Sequence, residues 1–190
     1  MKHSVLSQLG RRTAAPPISW LMEMALARPN LISLAAGFTD NPSLRLAETR
    51  ELLAEVLSSR KTGEAALQYG PTLGDPELRQ LTAAHLQKQD SKGDRGNFPA
   101  KNVIITSGSQ QLLYRTTEAL CDPGDIVLLE DPTYFVYLSI AQSHGLRCRG
   151  VRLLEDGLDL AQLEQTLEEL KRSGDLRRVK MLYLVSYFQN

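Results

Sequence analysis

The chain has 190 residues, 42% of them hydrophobic and 23% charged, the profile of a globular protein able to bury a sizeable core. Its 22 Lys and Arg balance its 22 Asp and Glu and no basic run gathers, so neither nucleic acid nor a membrane is an expected partner. No stretch of about 18 apolar residues reads as a membrane span, residues 1–10 lack a signal-peptide layout, and cysteine use is sparse; a cytoplasmic address is expected.

Residues 1–45 are broken by Pro16-Pro17, Pro29-Asn30, Gly37 and Asn41-Pro42, and read as an arm holding one short helix over 18–27. A helical pattern then runs over 47–59, a loop carries Gln68-Tyr69-Gly70-Pro71, and Asp75-Pro76 opens a helix with Asp75 as its cap. That helix should end near Gln89, where a polar stretch with two glycines follows. Beyond Pro99 the chain alternates: strand 103–106, helix 110–120, strand 126–129, helix 134–143, strand 146–151, helix 160–171, strand 179–185.

Short apolar strands separated by helices imply parallel pairing, with helices on both sheet faces. The expected fold is three-layer α/β/α with a mostly parallel sheet, preceded by the arm. Ligands in such sheets gather at the carboxyl ends of the strands. Residues 107–110, 130–134 and Asn190 all fall at or just beyond such ends.

The first of these is a small-residue turn, Ser107-Gly108-Ser109-Gln110, between a β-branched run and a helix. N–H groups without intrahelical acceptors and the helix dipole make that turn suitable for a phosphate, with Gly108 allowing close approach and Ser109 and Gln110 adding donors. Read by themselves, the same residues also suit a plain helix cap. Tyr134 after a proline equally suits a core aromatic, and Asn190 a turn. His3, His85 and His144 show no ligand spacing with Cys121 and Cys148, so no metal site is expected.

Five segments occur in order: Leu34-Ala35-Ala36-Gly37; 67–79, from Leu67-Gln68-Tyr69-Gly70-Pro71 to Glu77-Leu78-Arg79; Thr106-Ser107-Gly108-Ser109-Gln110-Gln111; Asp122-Pro123-Gly124-Asp125; and Glu130-Asp131-Pro132-Thr133-Tyr134. Together they resemble the fold-type-I pyridoxal-phosphate-dependent aminotransferases (class I/II), in particular the kynurenine/2-aminoadipate aminotransferase-like branch. The resemblance implies pyridoxal 5'-phosphate as cofactor, an amino acid and a 2-oxo acid as substrates, and a homodimer. It implies that Gly108, Ser109 and Gln110 hold the cofactor phosphate, that Tyr134 lies on the ring face, and that Asn190 bonds the ring's phenolic oxygen. By the same resemblance Tyr69 reaches the partner's phosphate across the dimer and Gly37 leaves room for substrate. Residues 1–45 would be the arm and part of a small domain, and 46–190 the amino-terminal part of the large cofactor-binding domain.

The arm departs from many relatives, which carry an arginine in an Ile-Arg context where this chain has Ile18-Ser19-Trp20. The chemistry also calls for a lysine that forms the Schiff base, an aspartate on the pyridine nitrogen and an arginine on the substrate carboxylate. In the family all three follow the Asn-Pro-x-Gly turn that Asn190 would open. Lys2, Lys61, Lys88, Lys92, Lys101, Lys171 and Lys180 occupy arm, loop, helix-end or strand positions, none of them the family's small-residue loop. The chain is therefore expected to be the amino-terminal portion of a longer one, to hold no catalytic residue, and to be inactive and poorly soluble alone. A lyase or decarboxylase of the same fold would share every residue present. So would a non-catalytic sensor domain of a transcription regulator, although the chain opens directly in the arm without a basic helix-turn-helix.

Overall fold

A computed structural model describes residues 5–28, 30–32, 34, 39–89 and 98–187. The chain divides into two compact units, residues 1–37 with 108–190, and residues 38–107. The arm holds α1 (Gln8–Arg12), started by a Ser7 hydroxyl that accepts from the Gly10 N–H, and α2 (Pro17–Ala27), whose first residue has its backbone pre-set by the proline ring. The sequence reading anticipated α2 and missed α1, a single turn and a half.

The 38–107 unit contains α3 (Leu46–Val56), α4 (Arg60–Leu67) and α5 (Pro76–Gln89). The pattern expected as one helix over 47–59 in fact stops at Val56. Ser59 then takes an extended conformation and its hydroxyl accepts from the Thr62 N–H at 3.2 Å, so a new helix begins there. Asp75 caps α5 as expected, accepting from the Leu78 N–H at 2.8 Å. Residues 103–106, expected as the first strand, join no ladder among the described residues. Backbone groups bond locally instead: Arg79 donates to the Val103 carbonyl and to that of the preceding Ala100, and the Ile105 N–H donates to Leu73 O.

From Gly108 onward the alternation is as the sequence implies. It runs α6 (Ser109–Leu120), β1 (Ile126–Asp131), α7 (Phe135–His144), β2 (Arg147–Leu154), a two-residue β3 (Gly157–Leu158), α8 (Leu160–Arg172) and β4 (Val179–Tyr183). The sheet order is β3-β2-β1-β4, with β1 parallel to both neighbours and β3 turned back antiparallel on β2. That hairpin has no counterpart in the sequence reading; it needs Gly157 at φ 129°, a backbone that side-chain-bearing residues rarely adopt.

Side chains alternate along β1, and each set meets a different helical layer. Val127 joins Cys121 and Tyr137 with Leu113 and Ile140 packed on them from α6 and α7. Ile126 and Leu128 face the other way, onto Leu163, Leu167 and Leu170 of α8. Helices thus cover both faces of a mostly parallel sheet, the expected three-layer arrangement. Full burial of an Ile or Val side chain contributes about 1.5–3 kcal/mol, so this central strand anchors the unit. Asp159 caps α8 by accepting from the Gln162 N–H and also pairs with Arg152 of β2, which ties helix start to strand end.

Candidate functional site

Gly108 precedes α6 with φ 81° and ψ 173°, a left-handed backbone that glycine adopts without strain. A Cβ there would meet nothing within 4 Å, so conformation and not crowding calls for glycine. The first-turn N–H groups of a helix lack intrahelical acceptors, and a glycine cap offers no side chain to accept from them. The helix dipole places partial positive charge at the same point. Ser109 and Gln110 are exposed in this first turn.

Opposite this helix start, the chain leaves β1 through Pro132, Thr133 and Tyr134 and enters α7. Tyr134 is half-buried, 5.3 Å from the Phe135 ring, and packs on the Cys121, Val127 and Tyr137 cluster. Beyond the carboxyl ends of β1 and β4 these segments border a cavity of about 480 Å³. Ser109, Leu112 and Leu113 line it from α6, Thr133, Tyr134 and Phe135 from the start of α7, and residues 183–186 from the exit of β4.

The β4 wall is held from below. Tyr183 stacks on the buried Tyr137 with ring centres 4.0 Å apart. Glu130, buried at the end of β1, accepts from the Val185 N–H at 3.0 Å and so fixes the chain just past β4. Burial, and after it the negative charge of Glu130, pushes the Tyr183 phenol above its ordinary pKa, so it stays protonated at neutral pH. The Thr133 hydroxyl is closed to solvent and has no hydrogen-bond partner among the described residues.

Gly108, Ser109, Gln110 and Tyr134 are therefore grouped at one end of the sheet, with Ser109 and Tyr134 on the cavity itself. Tyr69 belongs to the 38–107 unit, where its side chain is 98% exposed and its N–H donates to the Gln68 side chain. Gly37 and Asn190 lie outside the described residues. Sequence reasoning named the 130–134 segment but passed over Tyr183 and residues 184–186, whose signal was position alone, at and just beyond the carboxyl end of β4. Among the described residues no cluster of His, Cys, Asp or Glu could hold a metal ion, and no helix is long and apolar enough to cross a membrane.

A glycine-capped helix start and an aromatic side chain thus border one cavity beyond the carboxyl ends of the strands. Residues 29–189 match the model for aminotransferase class I and II, and the chain belongs to that family. It is 34% identical over 179 residues to the 2-aminoadipate transaminase of Thermus thermophilus, covering 94% of this chain and 40% of that protein. It is 33% identical over 163 residues to aromatic-amino-acid aminotransferase 1 of Thermococcus litoralis, covering 85% and 37%. The crystal structure of a Pyrococcus horikoshii kynurenine aminotransferase, in complex with PMP, superposes with a TM-score of 0.84 at 30% identity, covering 98% of this chain and 44% of that one. The chain thus spans about two-fifths of the length of the curated relatives it matches.

Proposed function

We propose that this chain forms the cofactor-holding part of a pyridoxal-phosphate-dependent aminotransferase that moves an amino group from an amino acid to a 2-oxo acid. The observation that carries the reading is the convergence of the Gly108–Ser109 helix start and Tyr134 on one cavity at the carboxyl end of the sheet. The residues fit the group: a cavity of about 480 Å³ lies within the usual range for small-molecule sites, and its lining is mostly apolar with a few hydroxyls. When bound, pyridoxal 5'-phosphate supplies an electron-withdrawing ring that makes loss of a proton from the amino acid's Cα feasible.

The chain's own residues bind and orient. The N–H groups that open α6, with the Ser109 hydroxyl and Gln110 amide, would hold the phosphate through charge-assisted hydrogen bonds. Tyr134 would lie on the ring face, and Asn190 would bond the phenolic oxygen. Tyr137 and Glu130 keep the opposite wall in place by supporting Tyr183 and Val185. Tyr69 would reach the phosphate of a partner in a homodimer, and Gly37 would leave room for substrate. On this reading residues 1–45 serve as arm and part of a small domain, residues 46–190 belong to the large domain, and the lysine that would form the Schiff base with the cofactor is none of those in this chain.

The test uses the full-length protein carrying this chain. Supplied with pyridoxal 5'-phosphate, glutamate and a second 2-oxo acid, it is expected to release 2-oxoglutarate and form the matching new amino acid. A protein that binds the cofactor but releases no oxo acid from any amino donor would support the sensor reading instead.

A further inference from the structure

α1 has five residues and buries none of them, and an isolated helix shorter than about 12 residues is marginal in water. It is held from outside: α1 packs on α7, and Nε of Arg12 donates to the Ser143 carbonyl at 3.0 Å. That carbonyl lies in the last turn of α7, where the helix itself supplies no donor. The Leu146 and Gly145 N–H groups close back on Ala141 and Gln142, which leaves Ser143 to a partner from elsewhere in the chain. Arg12 also lies against Gly145, where a Cβ would stand 3.0 Å from its Nε and Cζ. Its positive charge sits at the end where the helix dipole is negative.

We propose that Arg12 is a positioning residue: by capping α7 from outside it pins α1 to the sheet unit and so fixes where the arm continues toward substrate. This rests on the function proposed above, in which the arm borders the substrate and Tyr134, the residue that opens α7, carries the cofactor ring. Thr13 to Pro16 are all that separates α1 from α2. Four extended residues span at most about 14 Å, so α2 cannot travel far from a pinned α1. Arg11, the adjacent residue of the same helix, is exposed, whereas Arg12 is half-buried. The two arginines therefore carry the same charge and differ in whether they hold α7.

The experiment compares Arg12→Ala with Arg11→Ala in the full-length protein. Short-pulse hydrogen exchange reads the amides of Gly10 and Thr13, which are bonded to Ser7 and Leu9 within this turn. Both should exchange roughly tenfold faster in Arg12→Ala, the size of one hydrogen bond, and at the wild-type rate in Arg11→Ala. In steady-state turnover Arg12→Ala should raise KM for the amino donor while kcat and the dissociation constant of pyridoxamine 5'-phosphate stay at wild-type values, the mark of binding lost equally from ground and transition states. Arg12→Lys, which keeps a charge and a donor, should recover part of the KM. Exchange that is the same in both alanine variants overturns the inference, as does an unchanged KM in Arg12→Ala. A fall in pyridoxamine 5'-phosphate affinity in Arg12→Ala overturns it too, because the damage would then reach the cofactor wall and not the arm. A wild type that turns over no amino donor overturns the function proposed above and the positioning role with it, while the exchange comparison still decides whether Arg12 pins α1.

Discussion

In the sheet unit, Ile126, Val127, Leu128, Leu129, Tyr137 and Val151 are closed to solvent, whereas the described part of residues 38–107 buries only Gly63 and Ala83. Both units have well-started helices: Ser59 and Asp75 cap α4 and α5 as Asp159 caps α8. Capping satisfies backbone groups within one turn and settles where a helix begins, but it buries nothing. A core needs partners from distant sequence. β1 obtains them through two parallel neighbours and two helical layers, while Leu46, Leu52, Leu53 and Leu81 of α3 and α5 remain exposed.

Substitutions in the two regions should therefore differ, and the largest gap is expected at leucines. Leu128→Ala, at a 3% exposed site between β1 and α8, should lower unfolding free energy by about 3 kcal/mol in urea denaturation. Leu53→Ala, at a 56% exposed site, should stay within about 0.5 kcal/mol. A loss at Leu53 as large as that at Leu128 would break the contrast, because it would mean that α3 is buried in the assembled protein.

The next effect separates two glycines. Gly108→Ala forces a side chain into a left-handed backbone and should cost about 1 kcal/mol of stability together with part of the phosphate affinity. Gly70→Ala has open space and no such backbone requirement, and should leave both unfolding midpoint and ligand affinity unchanged. At the ring, Tyr134→Ala should weaken pyridoxamine 5'-phosphate binding by about 1 kcal/mol, and Tyr134→Phe should retain most of it, because the stack is a property of the ring.

The smallest effect concerns acid. The Arg152 guanidinium, followed by the Gln162 N–H, holds the Asp159 carboxyl below its ordinary range, and Arg147 does the same for Asp175. A depressed native pKa contributes stability that is complete above the usual carboxylate range and disappears as pH falls through the lowered values. Urea midpoints measured downward from pH 6 should therefore decline in acid, and Asp159→Asn should flatten that limb while losing stability at neutral pH.

Much of this was readable from the residues. Periodicity and short apolar runs located α6, α8, β1, β2 and β4, and the Asp75-Pro76 start located α5, whereas the two-residue β3 was missed. The break between α3 and α4 was missed, since Ser59 acts through one side-chain hydrogen bond that leaves no periodic trace. Residues 103–106 are β-branched and apolar, but strand pairing depends on a neighbour that local sequence does not specify. At the site, Gly108 and Tyr134 were visible as turn glycine and post-proline aromatic. The bond from Val185 to Glu130 and the stack of Tyr183 on Tyr137 were not, because they come from where β1 and β4 end relative to each other.

The most direct test is a crystal structure of the full-length protein with pyridoxamine 5'-phosphate. The account predicts phosphate density at the N–H groups of 108–110 and ring density against Tyr134. Cofactor density anywhere else, with the cavity between α6, α7 and the exit of β4 filled by protein side chains, would contradict it.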